Sequence, residues 1–270
     1  MINRLVRSHV LRLFSMVILL SSSTPLLAQN ADRPLRILSY NIHHGEGVDG
    51  KVNLERQADV IKSCTPDLVA LQEVDDRTER TGKTDQTARL AELTGLHGRF
   101  VHQLDFEGGR YGQAILSRFP ISDVTLHWLP GMPDRERRIV GAVTVQLDDL
   151  ELTFATTHLH HANEVFRCEQ SRQLNQLFAT GSKSSSSLVV LAGDLNAPPD
   201  SQPLTILDEV WQSATAGQST MLTFPAAQPE RQLDYILTHP KGRVTIHSVK
   251  VLNEPVASDH RPLFAEMTVQ

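Results

Sequence analysis

Six apolar runs of the chain are bordered by acidic, amide or imidazole side chains, which are predicted to mark strand ends. The polar positions are Asn41, Glu73, His158, Asp194 with Asn196, Asp234, and Asp259 with His260. Strands must stop somewhere, so one such ending would mean little. Repeated endings of this composition predict that the strand ends meet at one site, as is common on α/β scaffolds.

Three of these side chains are candidate ligands of a metal ion: Asn41, Glu73 and Asp259. Carboxylate and amide oxygens suit Mg²⁺, Mn²⁺ or Ca²⁺ better than zinc. A helix cap or ion pair is the alternative for Glu73, although its place after an apolar run favours the site. The alternative for Asp259 is an ordinary turn before a proline. Neighbours on a regular strand point apart, so a joint role with His260 requires a turn.

Asp194 and Asn196 form a second candidate group within the stretch GDLNAPP. Residues two apart face the same way on a strand. A carboxylate there can deprotonate water while the amide orients the attacking oxygen or a phosphate. A simple turn explains the stretch equally well.

His158 and His260 are candidates for charged hydrogen bonds to a phosphate or for proton donation to a leaving group. A nearby carboxylate would raise a histidine pKa and keep the ring protonated, and Asp234 is a suitable partner. A purely structural histidine is the alternative at each position.

The pairs His43-His44 and His160-His161 lack a convincing zinc spacing and are interpreted as a solvated rim of the site.

The elements that must position these residues follow from periodicity. Helices are predicted at about 54–64, 85–95 and 163–180, the second with a cap at Thr84-Asp85 and an end at Gly95. Apolar strand runs are predicted at 35–42, 66–74 and 188–194, with further β runs between residues 112 and 158 and after residue 233. Strands that are apolar on both faces predict sheets covered by helices.

Composition limits the class of protein. Residues 1–28 combine three arginines, a short apolar run and a small residue before Gln29, which predicts a signal peptide and an exported, periplasmic or secreted protein. An uncleaved anchor is the alternative. Residues 29–34 are predicted as a linker, and residues 35–270 as one domain.

The formal charge of −5 argues against a protein that binds long nucleic acid through its phosphates. Cys64 and Cys168 are predicted to be buried thiols rather than a disulfide.

The ordered motifs SYNIHHGEG, LQEVD, YGQAILSR, TTHL, GDLNAPPDS, LDYIL and SDHRPL resemble the endonuclease/exonuclease/phosphatase superfamily, which has a DNase I-like fold. The resemblance extends over about residues 35–268. It implies a four-layer α/β/β/α sandwich with two packed mixed sheets, and metal-dependent cleavage of a phosphoester.

The resemblance also implies a role for each matching residue. Asn41, Glu73 and Asp259 would surround Mg²⁺ or Mn²⁺, and Asp194 beside Asn196 would activate or orient the nucleophilic water. His260, paired with Asp234, would contact the phosphate opposite His158, and Tyr111 matches a position near the phosphate. Gln113 departs from the asparagine usual in similar bacterial proteins, so it is left out of the catalytic set.

Three functions remain open from the sequence. The favoured one is a phosphodiesterase or phosphatase acting on a lipid headgroup or small phosphoester, with no stable protein partner and a monomeric chain. A secreted nuclease would need a basic groove, for which the candidates are Arg110, Arg118, Arg135, Arg137 and Arg138. A non-catalytic binding module ranks lowest. An exposed apolar loop at Trp128, Leu129 and Met132 would favour a lipid substrate, although a buried tryptophan is the commoner case.

Overall fold

The computed structural model describes residues 33–132, 136–147, 150–180, 188–219 and 221–270. The predicted signal peptide, most of the predicted linker, the turn at Asp148-Asp149, Arg135 and the KSSSS loop at 183–187 lie outside the described residues.

Two mixed six-stranded sheets form the centre of the fold. The first contains β1 (Leu35–Asn41), β2 (Leu68–Asp76), β3 (His97–Phe106), β4 (Gly109–Ser117), β11 (Val244–Val251) and β12 (Leu263–Val269), in the order β11-β12-β1-β2-β4-β3. The second contains β5 (Thr125–Trp128), β6 (Ile139–Leu147), β7 (Leu150–His158), β8 (Leu188–Asp194), β9 (Gln212–Ser213) and β10 (Asp234–His239), in the order β5-β6-β7-β8-β10-β9.

The helices are α1 (Leu54–Ser63), α2 (Gln86–Thr94), α3 (Glu164–Asn175) and α4 (Gln202–Leu207), with a short 3₁₀ helix at His43–Gly45. Asn53, Asp85 and Asn163 begin the first three by accepting a hydrogen bond from a first-turn N–H. Gly95 ends α2 in a left-handed conformation, so both predicted ends of that helix are confirmed. The third predicted helix changes to a π turn at Gln176–Thr180. In the described part of the chain, none of the helices has the length and apolar content needed to cross a membrane.

Alternating side chains along each strand build three apolar layers. Ile37 packs between the two sheets with Phe154 and Val190. Leu38, next in the chain, packs on the outer face of the first sheet with Leu54 of α1, in a cluster that also includes Leu90 of α2. On the outer face of the second sheet, the buried residues include Leu174 of α3, Leu204 of α4 and Trp211. This arrangement confirms the four-layer α/β/β/α fold and explains why strands apolar on both faces require helices outside them.

One edge of the two sheets collects the polar strand ends. Each sheet has one parallel pair, β1 with β2 and β7 with β8. Asn41, His158 and Asp194 lie at the carboxyl ends of these strands, and Glu73 lies near the carboxyl end of β2. β10 runs antiparallel to β8 and begins at the same edge, so Asp234 is the register partner of Asp194. Asp234 therefore begins a strand and Asp259-His260 precede one, which corrects the prediction that these residues follow strands. β12 runs antiparallel to β1, which brings the preceding Asp259-His260 to this edge.

Candidate active site

Asp194 lies at the centre of the polar cluster. Asn41 Nδ2 donates to its Oδ2 over 3.2 Å, and His158 Nε2 and His260 Nε2 lie 3.4 Å and 3.6 Å from the same oxygen. These side chains come from four separate parts of the chain and are all buried. The predicted convergence of strand ends is therefore present in the structure.

Burial raises the pKa of Asp194 to about 7. The positive charge of His260 opposes this shift, and the negative charge of Asp234 adds to it. A carboxyl group that exchanges its proton near neutral pH has the property required of a general base.

His260 is held as a cation by its neighbours. Its Nδ1 donates to Asp234 Oδ2 over 2.8 Å, and Phe224 packs against the ring at 4.8 Å between centroids. Burial alone would lower the pKa of His260, but Asp234 and Asp194 outweigh burial and raise it to about 10. The imidazolium is thus present at neutral pH, and the predicted Asp234–His260 pair is confirmed geometrically.

His158 differs from the prediction in its charge. Burial lowers the pKa of His158 well below its ordinary value, and the positive charges of Arg138 and His260 lower it further. The prediction that a nearby carboxylate keeps this ring protonated is therefore wrong: the ring is neutral at pH 7, and its Nδ1 is buried without a hydrogen-bond partner among the described residues.

A β-bulge directs Glu73 into the site. The register between β2 and β4 shifts between Gln72 and Val74, which leaves Glu73 as the extra residue, with φ of 57°. A left-handed non-glycine residue costs about 1–2 kcal/mol. β2 continues beyond the bulge to Asp76, so it extends past the predicted run of 66–74.

Asn41 connects Glu73 to Asp194. Its Nδ2 donates to Glu73 Oε1 over 3.0 Å as well as to Asp194, and its Oδ1 accepts from His43 N. The amide thereby connects two carboxylates that come from strands in different sheets.

The bend before β12 fixes Asp259 and His260. Buried Ser258 donates from Oγ to Asn41 O over 2.7 Å and contacts Asp259 Oδ1 at 3.4 Å, while His260 N donates to the same hydroxyl over 3.3 Å. Residues 255–260 form bends rather than a strand, as the neighbouring roles of Asp259 and His260 require. The sequence analysis missed Ser258, although it stands within the SDH motif.

Asn196 is placed differently from the predicted strand position. β8 ends at Asp194, and Asn196 has φ of 50° in the following loop. Its backbone N donates to Asp194 Oδ1 over 2.9 Å, and its side-chain Nδ2 donates to Leu159 O over 3.1 Å. Asn196 therefore orients the Asp194 carboxylate through its backbone, and a shared strand face is not the reason for the spacing.

Tyr111 lies on the wall of an adjoining cavity of about 430 Å³. The lining residues are His43, His44, Glu73, Arg80, Leu104, Phe106, Tyr111 and Glu136. The guanidinium of Arg80 lies over the Phe106 ring at 4.7 Å and is paired with Asp75. The sequence analysis did not single out Arg80, Phe106 or Glu136, because they carry no strand-end signature.

The structure decides the exposure of two further side chains that the sequence singled out, Arg138 and Trp128. Arg138, a candidate for the basic groove of a nuclease, is buried and donates to Glu136 Oε1 over 2.6 Å. Trp128 is 45% exposed rather than buried, with the Arg137 guanidinium over its ring at 4.7 Å. Of the other apolar residues in this loop, Leu129 is buried and Met132 is 48% exposed.

The donor set suits a hard divalent cation. Among the described residues, Glu73 accepts a hydrogen bond only from Asn41 and forms no ion pair, and Asp259 likewise has no cationic partner. Asp234 Oδ1 is also buried, with no hydrogen-bond partner in the part of the chain that the structure describes. Four carboxylates with one imidazolium leave negative charge that a bound cation would compensate, and oxygen donors match Mg²⁺ or Mn²⁺.

The two predicted cysteine thiols are also observed. Cys64 and Cys168 are both buried and unpaired.

Solved structures share this fold. An endonuclease/exonuclease/phosphatase from Beutenbergia cavernae is 25% identical, with 88% of this chain and 72% of that chain covered and a TM-score of 0.69. A Bacteroides thetaiotaomicron mannosyl-6-phosphatase is 18% identical over 86% of this chain and 99% of its own, with a TM-score of 0.72. The human Nocturnin catalytic domain with bound sulfate is 21% identical over 88% of this chain and 95% of its own, with a TM-score of 0.69.

No curated protein matches the chain significantly in sequence. The model of the Endonuclease/Exonuclease/phosphatase family, however, matches residues 38–260, a segment that runs from β1 to the His260 motif. Together with the fold and the clustered strand ends, this match shows that the chain belongs to the endonuclease/exonuclease/phosphatase family of phosphoester hydrolases.

Proposed function

We propose that the protein is a divalent-metal-dependent hydrolase that cleaves a phosphoester on a lipid headgroup or other small molecule. The observation that carries this proposal is the buried cluster around Asp194, which places a carboxylate with a raised pKa beside an imidazolium. Such a pair combines a base for water with a donor for an anionic phosphate.

Asp194 is the proposed base. Its Oδ2 takes a proton from water, and the water oxygen forms a bond to phosphorus. The bond from phosphorus to the leaving oxygen breaks, and that oxygen departs with the bonding electron pair and takes up a proton from solvent. Asn196 N, donating to Asp194 Oδ1, keeps the carboxylate oriented during this step. Burial makes the base effective because its pKa of about 7 lies close to the working pH.

His260 is the proposed phosphate contact. Its Nε2–H points toward Asp194, and Asp234 holds the ring in place from the opposite nitrogen. The imidazolium would donate to a phosphate oxygen and stabilise the charge that develops there. Neutral His158 would add a hydrogen bond from the other side, and Tyr111 would border the substrate from the cavity wall.

The metal is proposed to be Mg²⁺ or Mn²⁺, held by Glu73 and Asp259 with the amide of Asn41. When bound, it would polarise the phosphoryl oxygen and neutralise negative charge in the substrate. Glu73 is suited to this role because the bulge turns its carboxylate out of the β ladder.

Ion pairs between the candidate groove arginines and carboxylates favour a small or lipid-linked substrate over a nucleic acid. Arg110 Nε donates to Asp76 over 2.7 Å, Arg118 Nε donates to Asp67 over 2.6 Å, and Arg138 is buried against Glu136. Arginines whose positive charge is already neutralised by a carboxylate contribute little to binding the phosphates of a nucleic-acid backbone. The neighbouring cavity of about 430 Å³ falls within the usual range for small-molecule pockets.

The exposed loop side chains favour the lipid alternative within this class. Trp128 and Met132 are both nearly half exposed, close in sequence to the cavity residue Glu136. We also propose that the protein is exported, because residues 1–28 have the composition of a signal peptide. A monomeric chain remains part of the proposal.

A hydrolysis panel tests the proposal. Plasmid DNA, bis-p-nitrophenyl phosphate, p-nitrophenyl phosphate, sphingomyelin and inositol phosphates are incubated with the protein with and without Mg²⁺ or Mn²⁺. We expect metal-dependent turnover of a small or lipid ester that Asp194→Asn and His260→Asn abolish and that the exposed-site control His161→Asn retains.

Each other outcome has a defined meaning. Nicking of DNA that both site variants abolish would establish a nuclease instead. Metal-independent turnover would overturn the proposed cofactor. Absence of turnover on every substrate would favour a binding module.

A further inference from the structure

A second group of ligating side chains lies outside the Asp194 cluster. His43, His44 and Glu46 each offer one ligand atom, and these atoms all lie within 4.8 Å of one another. His44 Nε2 is 3.5 Å from Glu46 Oε2, and the two imidazole rings are 4.4 Å apart between centroids. The HHG stretch is therefore part of a compact cluster of donors, although the sequence spacing alone indicated only a solvated rim.

The backbone at this cluster is unusual. His43 and His44 have φ of 46° and 43°, and Gly45 follows with φ of 84°. Consecutive left-handed non-glycine residues are unfavourable, and such backbone strain is concentrated at functional sites. In the usual extended conformation, successive side chains would point to opposite sides.

Buried hydrogen bonds hold this conformation in place. Gln86 Nε2 donates to His44 O over 2.7 Å, while its Oε1 accepts from Asp75 N over 2.9 Å. Glu46 N donates to His43 O over 2.8 Å. The loop is thereby fixed to β2 and α2, and its donors are arranged before any ligand arrives.

The cluster borders the cavity described above. His43 and His44 line this cavity together with Glu73 and Glu136. Arg80, which lines the same cavity, is bound by both oxygens of Asp75 at 2.7 Å and 2.8 Å, which reduces its repulsion of a bound metal ion. The nearby charges are consequently compatible with a divalent cation.

We propose that His43, His44 and Glu46 bind a borderline divalent cation such as Zn²⁺, with an open coordination position toward the cavity. Two imidazoles and one carboxylate are the donors that zinc accepts, and three protein ligands with a free position are typical of sites that contact a substrate. This second site is chemically distinct from the oxygen donors Asn41, Glu73 and Asp259. Its existence does not depend on the proposed function.

Zinc binding to the intact protein tests the inference directly. The protein is dialysed to equilibrium against Zn²⁺ in excess Mg²⁺, and bound zinc is counted by elemental analysis. We expect the double variant His43→Asn/His44→Asn to bind one equivalent less than the unmodified protein. Asparagine is chosen because it tolerates left-handed φ better than most residues.

Two controls separate this site from other histidines and from the hard-metal ligands. The double variant His160→Asn/His161→Asn removes the other adjacent histidine pair, whose rings stack at 5.3 Å, and is expected to bind as much zinc as the unmodified protein. The Glu73→Gln variant is also expected to retain the equivalent of zinc that is attributed to His43 and His44. Co²⁺ in place of Zn²⁺ should give visible absorption bands that the His43/His44 variant lacks.

The outcomes are decisive in either direction. Unchanged zinc stoichiometry in a folded His43→Asn/His44→Asn variant, or no zinc bound by the unmodified protein, would overturn the inference. If that double variant does not fold by circular dichroism, Glu46→Gln replaces it. Zinc affinity should then fall by about tenfold or more, and an unchanged affinity would again overturn the site.

Discussion

At the scale of single residues, the site assigns different protonation states to similar side chains. His158 and His260 both face Asp194 Oδ2, yet among the described residues a carboxylate contacts the other ring nitrogen of His260 and none contacts that of His158. Burial without that partner keeps His158 neutral, whereas Asp234 makes His260 a cation. One carboxylate therefore decides which imidazole carries the charge.

The change Asp234→Asn tests this assignment. Asparagine preserves the side-chain shape but removes the charge that keeps His260 protonated, so we expect kcat to fall by about 10²–10⁴-fold. The measurement is steady-state hydrolysis at pH 7 of the best substrate from the panel, with a thermal unfolding curve to verify the fold. Asp200→Asn, at an exposed position of the loop after β8, is the matched control. An unchanged kcat in folded Asp234→Asn would contradict the role.

At the scale of elements, close contact between strands positions the ligating and catalytic groups. Gly193 of β8 is the register partner of Thr157 in β7, one position before His158 and Asp194 meet. A Cβ atom at Gly193 would lie 2.0 Å from Thr157 O. Gly193 of the GDLN motif is thus required because the backbones of β7 and β8 approach closely at this position. This approach allows His158 and Asp194 to come together.

Gly193→Ala is expected to destabilise the fold. Because the obstructing atom is backbone, relief requires β7 and β8 to move apart, and the free energy of unfolding should fall by about 1–3 kcal/mol or more. Chemical denaturation measures this change. Gly131→Ala is the matched control, since the nearest atom to its added Cβ is Arg137 Cα at 4.0 Å and its effect should stay within about 0.5 kcal/mol. Equal destabilisation by both changes would refute the explanation.

At the scale of the whole molecule, the outer helical layers bury residues that would otherwise react. Cys64 follows α1 and belongs to the apolar cluster on the outer face of the first sheet, and Cys168 lies within α3 on the second. Burial raises the pKa of both thiols, that of Cys64 to about 11. A protonated, buried thiol is a poor nucleophile.

Thiol titration tests this packing. At pH 8, below the pKa of Cys64, we expect the native protein to react slowly with Ellman's reagent, because little thiolate exists and access is restricted. In guanidinium chloride, without reductant, both cysteines should react at once. Rapid reaction in the native state would contradict the burial. Loss of both thiols in the unfolded state would indicate a disulfide.

The amino-acid sequence alone determined the layered fold and most of the candidate site. Apolar runs that end in Asn41, His158 or Asp194 are local patterns, and burial on both faces follows directly from strands of that composition. The pairing of Asp234 with His260 was also predictable, since each stands at a strand end beside a recognisable motif.

The tertiary structure alone decided the features that depend on distant neighbours. The bulge at Glu73 arises from the register of β2 on β4, and the left-handed histidines are held by Gln86 from α2. The neutral state of His158 follows from burial and from positive charges elsewhere in the chain. Backbone strain and desolvation are properties of packed surroundings rather than of residue order, so local patterns could not reveal them.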